Sequence, residues 1–281
     1  MSSLEPVFVV DLFPIERQTL LRLLAQLSEE EWQQPTICAG WTVKDIVLHV
    51  LGDDIGLLSR KRDAFEPHKN MKGQPEFASW DELVTFINEN NALWVQAMRR
   101  MSNQLACTFL KLTGEEFYLY MKSLDPFALG GPVSWAGPHP APVWLDIARE
   151  YTERWLHQQH IRDAVGRPGF KEQQFFAPVL GTFVWALPQT FREVHADEGT
   201  HIHLLITGEA GGEWSLGREQ GVWVLGKTDS SQADASVVLD QETAWRLFTK
   251  GISKDYALQK WTFQGDETLA RKVLDTVSII A

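Results

Sequence analysis

The stretch REYTERWLHQQHIRDAV, residues 149–165, carries a carboxylate and an imidazole four residues apart, at Glu153 and His157. Four residues is slightly more than one helical turn, so in a helix both side chains share a face. Pro142 suits the first turn of this helix, and Gly166-Arg167-Pro168 ends it near Val165. Taken alone, such a pair is often a solvated surface pair. Here Trp155 and Leu156 give it apolar surroundings, and His49 lies in a second amphipathic stretch, DIVLHVL, residues 45–51. A His/His/carboxylate set drawn from two antiparallel helices leaves coordination positions open, as catalytic metal sites require. Zinc suits neutral imidazole with carboxylate, and nickel, iron(II) and manganese are compatible.

Outward from this helix, the first two-thirds of the chain reads as helix after helix. Residues 15–27 carry apolar side chains at helical spacing, and Ser28-Glu29-Glu30-Glu31 has the form of a capping box. After a loop at 35–40, Thr42-Val43-Lys44-Asp45 caps a helix expected to reach about residue 65. Ile46, Val50, Ile55 and Leu58 fall near one stripe of it, with His49 at the border. Ser79-Trp80-Asp81-Glu82 opens another helix to about residue 101, and a shorter one is expected over 115–124. Residues 124–142, rich in Pro and Gly, are expected to form a long ordered loop. Four long helices so connected imply a four-helix bundle.

The pattern changes near residue 170. A helical stretch over 176–194 precedes short, partly alternating strands at 201–207, 212–216, 221–225 and 233–239, then helices at 242–249 and 267–277. The expectation is a two-domain α+β chain: a helical bundle over 1–170 and a small α+β domain over 171–281.

The 281 residues suffice for two cores. Net charge is -11 with scattered acids, which argues against a nucleic-acid groove; Arg60-Lys61-Arg62 reads as a solvated helix end. Two cysteines, Cys38 and Cys107, make neither a disulfide framework nor a four-thiolate site, so a reducing cytoplasm is expected. The first residues do not form a convincing signal peptide, and no apolar run approaches a membrane span. A small-molecule substrate is the expected partner, and the oligomeric state is left open. Twelve tryptophans spread along the chain suggest an aromatic-lined pocket.

Several side chains admit two readings. His160, three residues past His157, is a proton shuttle, a substrate contact or a partner of the metal ligands, or else a hydrogen-bonded surface group. Asp53 either orients His49 through the second ring nitrogen or is plain solvated charge. Cys38, just before a helix, is a reactive thiol or a buried structural one. His195, His201 and His203 read as structural. Hydrolase G-x-S-x-G, phosphate-loop and HExxH signatures are absent.

The segments PTICAGWTVKDIVLHVLGDD (35–54) and REYTERWLHQQHIRDAVGRPG (149–169) resemble the mycothiol-dependent maleylpyruvate isomerase family, within the DinB-like superfamily of metal-binding bundles. ASVVLDQETAWRLFTKGIS (235–253) and FQGDETLARKVL (263–274) resemble that family's sterol-carrier-like C-terminal domain. The resemblance implies that His49, Glu153 and His157 hold a divalent metal and that a low-molecular-weight thiol such as mycothiol is the cosubstrate. His160 is then a candidate proton relay. Arg246 and Lys250 are candidate contacts for an anionic substrate, with exposed charge the competing reading. The leading expectation is a metal-dependent transferase or isomerase acting through a thiol. The alternatives are a metal-dependent hydrolase using bound water and a non-enzymatic small-molecule binding protein.

Overall fold

The computed structural model describes residues 4–65, 79–227 and 233–279. The chain divides into two compact units, one gathering residues 10–124 and 153–169, the other 1–9, 125–152 and 170–280. The break therefore falls inside one long helix, between Thr152 and Glu153.

The first unit is helical. It holds α1 (Phe13–Leu24), α2 (Glu29–Trp32), α3 (Val43–Leu57), α4 (Trp80–Met98), α5 (Asn103–Ser123) and the second half of α6 (Val143–Ala164). The expected caps form. Ser28 and Glu31, and Thr42 and Asp45, make reciprocal capping boxes, while Ser79 accepts from the Glu82 amide. Each satisfies amides that the first helical turn leaves without partners. Beyond α3 the chain continues as a π-helical turn, Leu58–Arg62.

One helix is longer than its sequence suggested. α5 starts at Asn103, capped by Ser102, rather than near residue 115. The helix runs through Gly114, although glycine inside a helix costs about 1 kcal/mol relative to alanine. The structure explains the glycine: a Cβ there would stand 2.9 Å from Arg17 Cγ. The core between these helices is aliphatic, with Leu20, Val43, Ile46, Val47, Leu51 and Leu110 all essentially inaccessible.

A charged group sits within this core. The buried stripe of α3 runs through Ile46, Val50, Asp54 and Leu57, and Ile55, placed on the stripe by periodicity, is exposed. Asp54 is wholly buried, and its two carboxylate oxygens are fully engaged. Oδ2 accepts from Arg17 Nη1 of α1 and the Thr113 hydroxyl of α5, both at 2.7 Å; Oδ1 accepts from Arg154 Nη2 of α6 at 2.8 Å. The Arg154 guanidinium also lies 3.7 Å from the centroid of Phe117, a cation–π contact. Four helices thus meet on one carboxylate. Close by, Gln158 Nε2 donates to buried Glu16 at 2.9 Å, and Arg162 donates to Gln158 Oε1.

The second unit is mixed α and β. Residues expected as a loop carry a short antiparallel pair, β1 (Leu129–Pro132) and β2 (Pro140–Pro142). α7 (Gln173–Phe183) and α8 (Leu187–Phe191) follow, joined by a 3₁₀ turn. A five-stranded sheet is built from β3 (His201–Thr207), β4 (Gly212–Glu219), β5 (Val222–Gly226), β6 (Ala235–Asp240) and β7 (Thr262–Gly265), in the order β5-β4-β3-β6-β7. The β3–β6 pair is parallel and the others antiparallel. α9 (Gln241–Phe248), α10 (Lys254–Ala257) and α11 (Glu267–Val273) complete the unit. β7 was not expected from the sequence: it is four residues long, and its last, Gly265, turns at φ +79° where a Cβ would strike the Asp234 carbonyl. No helix among the described residues is long and apolar enough to cross a membrane.

The arrangement around Asp54 makes stability dependent on one carboxylate. Burial alone would raise its pKa, but Arg17, Arg154 and the hydrogen bonds outweigh burial and hold it below the usual value. A depressed carboxyl contributes stability that is present above the unfolded-state pKa and lost as pH falls through the folded one. Asp54→Ala is expected to lose about 3–5 kcal/mol in urea unfolding, because two guanidiniums stay buried without their counter-charge. Asp54→Asn is expected to flatten the acid limb of the stability curve. A cost below about 1 kcal/mol for Asp54→Ala would show that water reaches the cluster.

Candidate metal centre

α3 and α6 carry the site, and the loop before α3 frames it. In that loop the Thr36 hydroxyl donates to the Trp41 carbonyl at 2.9 Å, the Cys38 amide donates to the Thr36 hydroxyl at 3.2 Å, and the Trp41 amide donates to the Cys38 carbonyl at 3.0 Å. Gly40 closes this tight loop at φ +76°, a conformation that favours glycine. The Trp41 ring then packs on His49, centroids 5.0 Å apart.

His49, from the second turn of α3, and His157, from α6, meet edge to face. Their Nε2 atoms are 3.1 Å apart and their planes are inclined by 84°. Two carboxylates flank them. Asp53 Oδ2 is 3.2 Å from His49 Nε2, and Glu153 Oε2 is 3.8 Å from His157 Nε2. One ligand atom each from His49, Asp53 and His157 lies within 4.8 Å of the others. Asp53 therefore faces the same nitrogen that His157 faces, rather than steering His49 through its second nitrogen.

Burial sets the protonation of both rings. Desolvation, opposed by the Glu153 carboxylate and reinforced by Arg154, pushes the His49 pKa down to about 4. Desolvation, with His49, His160 and Arg154 nearby, holds His157 well below its ordinary value. Both imidazoles are thus neutral near pH 7, the form in which histidine binds metal. Two neutral Nε2 atoms face to face can share at most one proton profitably, since two N–H groups there would collide.

A divalent cation fits this donor set. Two nitrogens bound at about 2.0–2.1 Å on a tetrahedral centre stand about 3.3 Å apart, close to the separation found. His157 Nδ1 is buried without a hydrogen-bond partner, so no second contact fixes the ring's tautomer against such a role. His49, His157 and one carboxylate, Glu153 or Asp53, would hold the ion. His160, one turn beyond His157, lies 5.5 Å from it ring to ring and places Nδ1 3.4 Å from Cys38 Sγ. Burial raises the Cys38 thiol pKa despite the Thr36 hydrogen bond, so that thiol is protonated in the metal-free protein.

The other residues singled out from the sequence belong to the second unit. Arg246 lies on α9 with its guanidinium 4.2 Å from the Trp245 centroid and its Nε 3.9 Å from Glu242. Lys250 follows that helix at φ +58°. His203 Nδ1 meets the Ser236 hydroxyl at 3.2 Å, and His201 stands near Asp234. The sequence reading did not find Arg17, Asp54 and Arg154, which hold the histidine-bearing helices together. The one available signal was an acid at a core position of α3.

A helical unit with a two-histidine, two-carboxylate centre, joined to a mixed α+β unit, defines the class. Residues 13–162 match the family model described as mycothiol maleylpyruvate isomerase N-terminal domain, and the chain belongs to that family. Among solved structures, it is similar to a histidine-to-alanine mutant of the mycothiol-dependent maleylpyruvate isomerase, with a TM-score of 0.53 and 14% sequence identity over 91% of each chain. A further structure of the mycothiol-dependent maleylpyruvate isomerase gives 0.48 at 14% identity, over 85% of this chain and 86% of that one. The first likeness shows a shared fold, a helical N-terminal region followed by a sheet-containing one. No curated protein matches the sequence significantly.

The protonation states lead to a direct expectation. In metal-free protein, the His49 and His157 ring resonances are expected to stay constant from pH 7.5 to pH 5, as rings with folded pKa values this low are unprotonated there. The unfolded chain binds those protons below about 6.5, so stability falls as pH drops through this range. A His49 midpoint near 6.5 would show a solvated ring and remove the basis for a preformed site.

Proposed function

We propose that this protein is a metal-dependent transferase or isomerase that acts on an electrophilic small molecule through a low-molecular-weight thiol. The reaction resembles that of its family, with mycothiol the first candidate thiol and zinc the first candidate metal. The observation that carries the reading is the convergence of His49 Nε2 and His157 Nε2 at 3.1 Å with carboxylates beside each ring. The proposal places metal binding in residues 1–170 and leaves to residues 171–281 a part in choosing the electrophile.

A divalent cation at this position supplies Lewis acidity that favours the deprotonated form of a thiol at neutral pH. The protein's own groups do the rest. His49, Glu153 and His157 form the ligand set, neutral rings and one carboxylate, which leaves positions open for a reactant. Asp53, against His49 Nε2, adds negative charge that strengthens cation binding. His160 takes the thiol proton and later returns it, by the same general acid–base logic that histidine serves elsewhere. In an isomerisation the thiol sulfur adds to a double-bonded carbon, the resulting single bond rotates, and elimination restores the double bond and the thiol. In a transfer the sulfur–carbon bond persists and a leaving group departs with the electron pair. Arg246 and Lys250 are proposed contacts for an anionic electrophile, in which case Arg246→Ala raises KM with kcat little changed.

The test is metal binding combined with thiol dependence. His49→Ala, Glu153→Gln and His157→Ala are each expected to lower zinc affinity beyond the roughly 10–100-fold typical of residues that only touch a ligand. Asp53→Asn is expected to fall within that range. Turnover of an activated electrophile should require both the metal and an added thiol. Turnover indifferent to thiol would point to metal-bound water and a hydrolase, and protein that binds no zinc would contradict the reading.

A further inference from the structure

We propose that Cys38, His157 and His160 form a second cation position, one with a sulfur donor, beside the carboxylate-bearing one. Ligand atoms of these three residues lie within 4.8 Å of one another. Cys38 Sγ and His160 Nδ1 are 3.4 Å apart. On a tetrahedral zinc centre with bonds of about 2.3 Å to sulfur and about 2.05 Å to nitrogen, those atoms stand about 3.5 Å apart, so two donors are already spaced for a shared ion.

The third donor comes from His157. Its Nε2 is turned toward His49, and its Nδ1 is buried with no hydrogen-bond partner. A buried ring nitrogen left unsatisfied is costly unless something occupies it. His157 is 9% exposed, as is His160, so both rings are already desolvated. The placement is rigid: His157 and His160 are three residues apart on α6, and Cys38 is fixed by the Thr36 and Trp41 hydrogen bonds of its loop.

The donor chemistry separates the two positions. Sulfur with two imidazoles selects thiophilic ions such as zinc, cadmium or copper(I), whereas imidazoles with carboxylates also admit manganese. Binding at the sulfur position breaks the Cys38 S–H bond, forms a metal–sulfur bond and releases the proton to solvent. Without a cation the same geometry is a thiol–imidazole hydrogen bond. This inference stands apart from the proposed thiol-dependent reaction and shares with it His157 and His160.

The experiment is alkylation of the native metal-free protein by iodoacetamide, with Zn²⁺, Mn²⁺ or no metal, read peptide by peptide, with Cys107 as internal reference. Zn²⁺ is expected to slow Cys38 alkylation at least about tenfold relative to Cys107, and Mn²⁺ to leave it unchanged. His49→Ala should keep the protection and His160→Ala should lose it. If Zn²⁺ leaves the Cys38 rate unchanged, the proposal is overturned. If protection disappears in His49→Ala but survives in His160→Ala, it is overturned too, because the ion then sits at the other position and merely hinders access. Should His160→Ala fail to fold, Co²⁺ added to wild-type protein decides: a sulfur-to-cobalt charge-transfer band supports the site, and its absence refutes it.

Discussion

A single buried carboxylate, Asp54, ties the histidine-bearing helices to one another. It takes hydrogen bonds from Arg17, Thr113 and Arg154, which belong to α1, α5 and α6, while Asp54 itself belongs to α3. A buried ion pair is weak support for stability compared with a well-packed apolar cluster of equal volume. Its value here is directional. Apolar side chains tolerate a helix sliding or rotating by a fraction of a turn, whereas a carboxylate that engages two guanidiniums and a hydroxyl does not. Asp54 follows Asp53 in sequence, and Arg154 lies between Glu153 and Trp155. The contact that joins α3 to α6 is thus one residue away from two of the groups facing the imidazoles.

The electrostatics of the centre follow from the same desolvation. Burial removes water from His49 and His157 and keeps both rings neutral, while Asp53 and Glu153 stay close to them. Two buried neutral rings thus stand beside two partly exposed carboxylates, the donor arrangement on which the proposed metal site rests. The neighbouring Cys38–His160 pair brings a softer donor to the edge of this arrangement.

Much of this was legible from sequence, for identifiable reasons. The caps of α2, α3 and α4 are local chemistry, a side-chain oxygen three residues before an amide, and they formed as read. The pairing of Glu153 with His157 follows from helical period alone, whereas the carboxylate grouped with both imidazoles is Asp53, four residues after His49 on α3. What escaped was set by tertiary contact. The first half of α5 went unread, and the approach of Arg17 that accounts for Gly114 within it is invisible in sequence. Ile55 looked like core but is exposed, while Asp54 is buried, and nothing local reveals the two arginines that arrive there from distant helices. β7 exists because β6 offers it an edge to pair with, not because four residues ending in glycine prefer extension.

The most direct measurement is anomalous diffraction at the zinc edge from crystals of the zinc-loaded protein. A strong peak is predicted within about 2.0–2.2 Å of His49 Nε2, His157 Nε2 and a carboxylate oxygen of Glu153, whether or not a further peak stands beside Cys38 Sγ. Zinc-loaded crystals with no peak in reach of His49 Nε2 would contradict the account, since the two helices would then meet for some other purpose.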